Sequence, residues 1–99
     1  MKNIVLLCSA GMSTSMMVAK MKEAAKEKNC EVNINAYSLT EASEVVNEAD
    51  IILLGPQVRF QMNQVKGLAT CPVEVIDMRD YGTMNGKNVF EHAMSVIGE

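Results

Sequence analysis

Two kinds of apolar run alternate along the chain of 99 residues. Ile4, Val5, Leu6 and Leu7 are consecutive, as are Ile51 to Leu54, and unbroken runs of this length predict strands covered on both faces. Val32, Ile34 and Ala36 instead alternate with Glu31, Asn33 and Asn35, and Val73 and Val75 flank Glu74. That pattern predicts two strands with a wetter face, placed at the edges of a sheet. Helical spacing fills the intervals. Met17, Val18, Met21, Ala24 and Ala25 share one face, with Lys20, Glu23, Lys26 and Glu27 turned outward. A short helix capped by Ser38 or Thr40 runs to about Asn47, a third carries Val58, Met62, Val65 and Ala69 and is entered through Pro56, and a last one carries Val89, Ala93, Val96 and Ile97.

Strands alternating with helices predict an α/β domain with a parallel sheet. Two central strands, two edge strands and right-handed crossovers leave the order 2-1-3-4 as the simplest four-stranded open sheet, with helices on both faces. The chain turns one way after strand 1 and the other way after strand 3. Ligands of such sheets bind outside the strand carboxyl ends at this switch point. The two loops concerned begin at Cys8 and Gly55.

Composition narrows the chemistry. No apolar run approaches the ~20 residues of a membrane helix, and no charged-then-apolar signal segment opens the chain, so a cytoplasmic protein is expected. A net charge of −3, with nine Lys and Arg that do not cluster, argues against nucleic-acid binding. Three cysteines without a C-x-x-C pair and a single His argue against structural zinc or a disulfide framework, so neither metal nor cofactor is expected. What remains is the question of whether one thiol is used chemically.

Cys8 has the setting for it. Cys8-Ser9-Ala10-Gly11-Met12-Ser13-Thr14-Ser15 is expected to loop from strand 1 into the first helix with small residues throughout, Met12 excepted. Successive N–H groups in such a turn converge into an anion nest, the helix adds its positive end, and the hydroxyls of Ser9, Ser13, Thr14 and Ser15 add donors. The same field favours thiolate over thiol. This reading requires a sulfur open to solvent at the mouth of inward-facing amides; a sulfur walled off from solvent, or amides aimed elsewhere, leaves only the fold. The blander alternative is a buried structural thiol beside a serine-capped helix.

Three separated motifs, CSAGMSTS at Cys8 to Ser15, LLGPQ at Leu53 to Gln57 and VEVIDMRDYGTMNG at Val73 to Gly86, resemble the phosphotransferase-system enzyme IIB subunit of the lactose, cellobiose and chitobiose class. The likeness covers essentially the whole chain and implies that residues 1–99 form one phosphocarrier domain. It further implies that Cys8 takes a phosphoryl group from a phosphohistidine of a IIA partner and gives it to a β-linked disaccharide held by the membrane-embedded IIC permease. The subunit is then cytoplasmic, peripheral to the inner face of the membrane through IIC. Ser9, Ala10, Gly11, Met12, Ser13, Thr14 and Ser15 match the phosphocysteine loop, with Gly55, Pro56, Gln57 and Tyr81 beside it, and two loops, Gly55 to Gln57 and Asp80 to Tyr81, are expected to border the site. No motif position departs from the pattern, and Cys30 and Cys71 fall outside it.

Rival readings share the loop. Low-molecular-weight tyrosine phosphatases have a similar strand–loop–helix but carry a C-x5-R loop, and here Thr14 stands where that Arg belongs. Hydrolysis loses its bidentate clamp on the phosphoryl oxygens, although Asp80 could mimic a general acid. A non-catalytic phosphate-binding regulatory module is the other alternative. A redox enzyme needs a second thiol near Cys8, but Cys30 and Cys71 precede strands 2 and 4, and a strand of about six residues spans ~20 Å. His92 is expected to point away from Cys8. Met12, Met16 and Phe60 are apolar residues that no predicted helix face buries, and they form a candidate docking patch at the Cys8 end.

Overall fold

The chain begins with β1 (Lys2–Cys8), crosses through α1 (Gly11–Glu27) and returns as β2 (Val32–Ser38). A 3-10 turn, Leu39–Glu41, continues into α2 (Ala42–Val45), and β3 (Ile51–Leu54) follows. A second 3-10 segment, Pro56–Gln61, leads into α3 (Met62–Leu68), then β4 (Val73–Val75), α4 (Met78–Gly82) and α5 (Gly86–Ile97). The structure, a computed structural model, describes residues 2–8 and 11–98, and of residues 11–13 the backbone alone.

The sheet order is β2-β1-β3-β4, all neighbours parallel, as the apolar patterning requires. Period-2 alternation divides the strands between two cores. Ile4, Leu6, Ile51 and Leu53 pack with Met17, Met21, Val89 and Phe90 under α1 and α5. Val5, Leu7, Ile52 and Leu54 pack on the other face with Val45, Val58 and Val65, beneath α2, the second 3-10 segment and α3. Register pairs Leu7 with Tyr37 and Leu54, and Cys8 with Ser38, so the row at the strand carboxyl ends runs through Ser38, Cys8 and the residue after Leu54.

Local signals explain most boundaries. Ser38 accepts from the Thr40 amide while the Glu41 carboxylate accepts from the Ser38 amide, a capping box that starts the Leu39 turn. Pro56 opens its segment where its missing N–H costs nothing. At Gly86 a Cβ would collide with the backbone of Lys20 and Met21, so glycine there lets α5 lie directly against the middle of α1.

Two predicted loops are helical. Gly11 to Ser15 form the first residues of α1 rather than a connecting loop. Asp80 and Tyr81 lie within α4, a single turn started by Asp77, whose Oδ1 accepts from the Arg79 and Asp80 amides. One turn shows no apolar period, and that is why the pattern leaves this helix unseen.

Candidate functional site

Cys8 ends β1, and alternation turns it toward the same face as Ile4 and Leu6, the face covered by α1. Thr14, on the buried side of α1, donates its hydroxyl to Cys8 Sγ at 2.6 Å. Behind it stands Tyr81 of α4, its hydroxyl 3.5 Å from Thr14 Oγ1. On the β3 side the Gly55 amide donates to the Leu7 carbonyl at 2.9 Å, which extends the ladder one residue and brings Gly55 beside Cys8. A Cβ on Gly55 would lie 3.3 Å from Cys8 Cβ and 2.9 Å from Gln57 Oε1, so the sequence needs a hydrogen there. Three segments far apart in the chain thus meet around one sulfur.

Cys8 as a residue is buried. Cys8 is 3% exposed and Thr14 1%, whereas the sequence reading requires a sulfur facing solvent. The reason is positional: Cys8 closes a strand buried on both sides, and α1 lays Thr14 over it.

Of the candidate phosphate-binding residues, Ser9 and Ala10 lie outside the described residues, as do the side chains of Gly11, Met12 and Ser13. The backbone of Gly11 to Thr14 is the first turn of a 17-residue helix, whose leading N–H groups have no intrahelical acceptor and carry the positive end of the dipole. Ser15 is exposed. Pro56 and Gln57 follow Gly55, and Gln57 Oε1 lies where a Gly55 Cβ would meet it. Asp80 and Tyr81 part company: Tyr81 is buried and reaches Thr14, while Asp80 accepts from Asn88 at 3.3 Å and lines a separate cavity of about 420 Å³ with Asp77, Glu74 and His92. His92 Nε2 lies there 3.1 Å from Glu74 Oε1, an exposed hydrogen bond of the kind expected for a surface histidine.

The link from Thr14 to the sulfur goes beyond the sequence reading, although Thr14, Met17, Val18 and Met21 fall on one helical face. Met78 is also new. It is 62% exposed, alongside Phe60 at 76% and Met16 at 58%. Phe60 and Met78 border a groove of about 460 Å³ with Pro56, Gln57, Arg59, Tyr81 and Gly82, which joins the Cys8 site through Tyr81 and Gln57.

The other two thiols have a different setting. Both are half-buried at the amino ends of β2 and β4, Cys30 against the α1–α5 core and Cys71 against the other. Burial pushes the Cys71 thiol up from its ordinary value, and the Asp50 charge adds to this against a lowering backbone hydrogen bond. Among the described residues no cluster of three or more His, Cys, Asp or Glu is placed to hold a metal ion.

Comparison with known proteins decides what this arrangement belongs to. Residues 3–92 match the family model described as the phosphotransferase (PTS) system, lactose/cellobiose-specific IIB subunit. The chain belongs to this IIB family. A relative from Bacillus subtilis strain 168, the PTS oligo-beta-mannoside-specific EIIB component, is 43% identical over 98% of this chain and 97% of its own. The solution structure of the cellobiose-specific phosphotransferase IIB component of Borrelia burgdorferi is 42% identical with a TM-score of 0.80, covering 97% of this chain and 91% of that one. IIB components are phosphotransferases that work with IIA and IIC components. The YwlE arginine phosphatase of Bacillus subtilis shares the fold alone, at 14% identity and a TM-score of 0.56 over 96% of this chain and 90% of the other. Among the described residues no helix is long and apolar enough to cross a membrane.

Proposed function

We propose that this IIB subunit stores a phosphoryl group on Cys8, received from a phosphohistidine of a IIA partner and delivered to a β-linked disaccharide on a IIC permease. Residues 1–99 act as one phosphocarrier domain, working in the cytoplasm at the inner membrane face where IIC resides. One observation carries the reading: the Cys8 sulfur stands at the switch point of the sheet, beside the first turn of α1 and under a hydroxyl donor.

In the loading step a sulfur lone pair forms the S–P bond, the P–N bond breaks and the imidazole nitrogen keeps the electron pair. In the discharge step a sugar hydroxyl oxygen forms the O–P bond, the S–P pair returns to sulfur and the hydroxyl proton passes to water. The protein supplies position and electrostatics, with the leading amides of α1 facing the equatorial oxygens. The exposed Met16, Phe60 and Met78 form the surface on which both partners dock, with Met12 as its expected fourth member. Gly55, Pro56 and Gln57 wall the site. The relatives differ in the sugar that they are named for, an oligo-β-mannoside and cellobiose, at almost equal identity to this chain, which supports a reading in which the permease selects the sugar.

The burial of Cys8 favours a second reading, a regulatory module that binds phosphate without modification of the thiol. Mass spectrometry separates them. After incubation with phosphorylated IIA the carrier gains about 80 Da, a gain absent in Cys8→Ala. No gain with any phosphorylated donor leaves the module.

A further inference from the structure

We propose that Thr14 is a positioning residue for the Cys8 sulfur, supported from behind by Tyr81, rather than one of the donors to the phosphoryl oxygens. A threonine hydroxyl has one proton to give. Here that proton is directed to Cys8 Sγ at 2.6 Å from a side chain 1% exposed. A phosphoryl group reaches the sulfur from solvent, so it arrives on the side of Cys8 opposite a hydroxyl packed inside the protein. Tyr81 stands 3.5 Å from Thr14 Oγ1, close enough to hold the threonine rotamer and too far for a strong bond of its own. Tyr81 is itself fixed by α4, whose start is set by the Asp77 cap.

The consequence for phosphoryl transfer rests on the carrier reading; the sulfur contact does not. A hydrogen bond to sulfur is strongest when sulfur is an anion and weakens once the S–P bond has taken up that charge. Thr14 therefore favours the thiolate both as attacking group in loading and as leaving group in discharge. Its own proton stays on its oxygen throughout. When sulfur is phosphorylated, the hydroxyl is freed to turn toward the Tyr81 oxygen.

Besides Cys8, Tyr81 is a titratable side chain on this chain of contacts. On the surrounding elements Lys20, Lys22, Glu23, Lys26 and Glu27 of α1, Arg59 of the second 3-10 segment and Arg79 of α4 are exposed, and the half-buried Asp80 faces the other cavity. The thiol itself is thus the readout, and no phosphorylated donor is needed.

The experiment uses the full chain with Cys30→Ala and Cys71→Ala, so that Cys8 is the sole thiol, and follows its alkylation by iodoacetamide across pH. Thr14→Val preserves shape and removes the hydroxyl. It is expected to slow alkylation at neutral pH tenfold or more, with the gap closing as pH rises into the range where any thiol ionises. Thr14→Ser keeps the donor and is expected to stay within about twofold of the parent, while Tyr81→Phe slows the reaction about two- to fivefold. Equal rates for Thr14→Val and the parent at neutral pH overturn the proposal, as does a gap that persists unchanged at high pH, because that reports altered access. Should Thr14→Val fail to fold, Thr14→Ser and Tyr81→Phe decide: a serine rate reduced tenfold, or a phenylalanine rate equal to the parent, overturns it. A failed phosphorylation assay alongside a positive alkylation result removes the carrier reading alone.

Discussion

Cys8 and Cys71 sit at opposite ends of the same parallel sheet, and the sheet treats them in opposite ways. At the carboxyl end Cys8 meets a hydroxyl donor from α1, the Gly55 amide one rung away and the leading turn of a 17-residue helix. At the amino end Cys71 meets apolar side chains and the charge of Asp50, and burial raises its thiol. Cys8 is buried and Cys71 half-buried against the other core, yet the degree of burial is the lesser contrast. What differs is the direction of local dipoles: parallel strands feeding helices collect N–H groups at one end only.

The comparison breaks most severely at Gly55. Gly55→Ala puts a methyl 3.3 Å from Cys8 Cβ and against the Gln57 side chain, and under the proposed function phosphoryl transfer from IIA is expected to fall about tenfold or more, with a stability loss of about 1–2 kcal/mol by urea denaturation. A smaller effect is expected from the support beneath Tyr81. Asp77→Ala removes the cap of α4, costs about 1 kcal/mol and lowers the melting temperature by about 4–8 °C in a thermal scan, with the Cys8 alkylation rate falling in parallel. The smallest effect sharpens the other end of the sheet. Because the folded Cys71 thiol is raised above its unfolded value, its contribution to stability is complete below the ordinary thiol range and is lost as pH climbs through the raised value. Cys71→Ala is expected to flatten that alkaline decline in urea midpoints measured between about pH 7 and 10, and to leave the Cys8 alkylation rate unchanged.

How far the sequence disclosed these two ends depends on the range over which a residue acts. Ile4 to Leu7 and Ile51 to Leu54 announce buried central strands through unbroken apolar runs, and the alternation at Val32 to Ala36 and around Glu74 announces edges. From these the order of the sheet and the switch point at Cys8 and Gly55 follow. The Thr14 contact does not, because it depends on α1 starting as early as Gly11, and small residues such as Gly11 and Ser13 suit a loop as well as a first turn. Five residues of α4 are too few to display a helical period, so Tyr81 reads as a loop neighbour rather than as a buried support. The cover over Cys8 is likewise a property of packing between elements, which no local pattern of residues encodes.

One contact remote from the sulfur governs its surroundings. Where Gly86 meets Lys20 and Met21, α5 presses main chain against main chain, and the nearer half of α1 extends from that fulcrum to Thr14. A rod pinned at its middle transmits displacement to its tip. A bulkier residue at position 86 is expected to push α1 away and with it Thr14, so the contact on the Cys8 sulfur depends on a glycine more than seventy residues away in sequence.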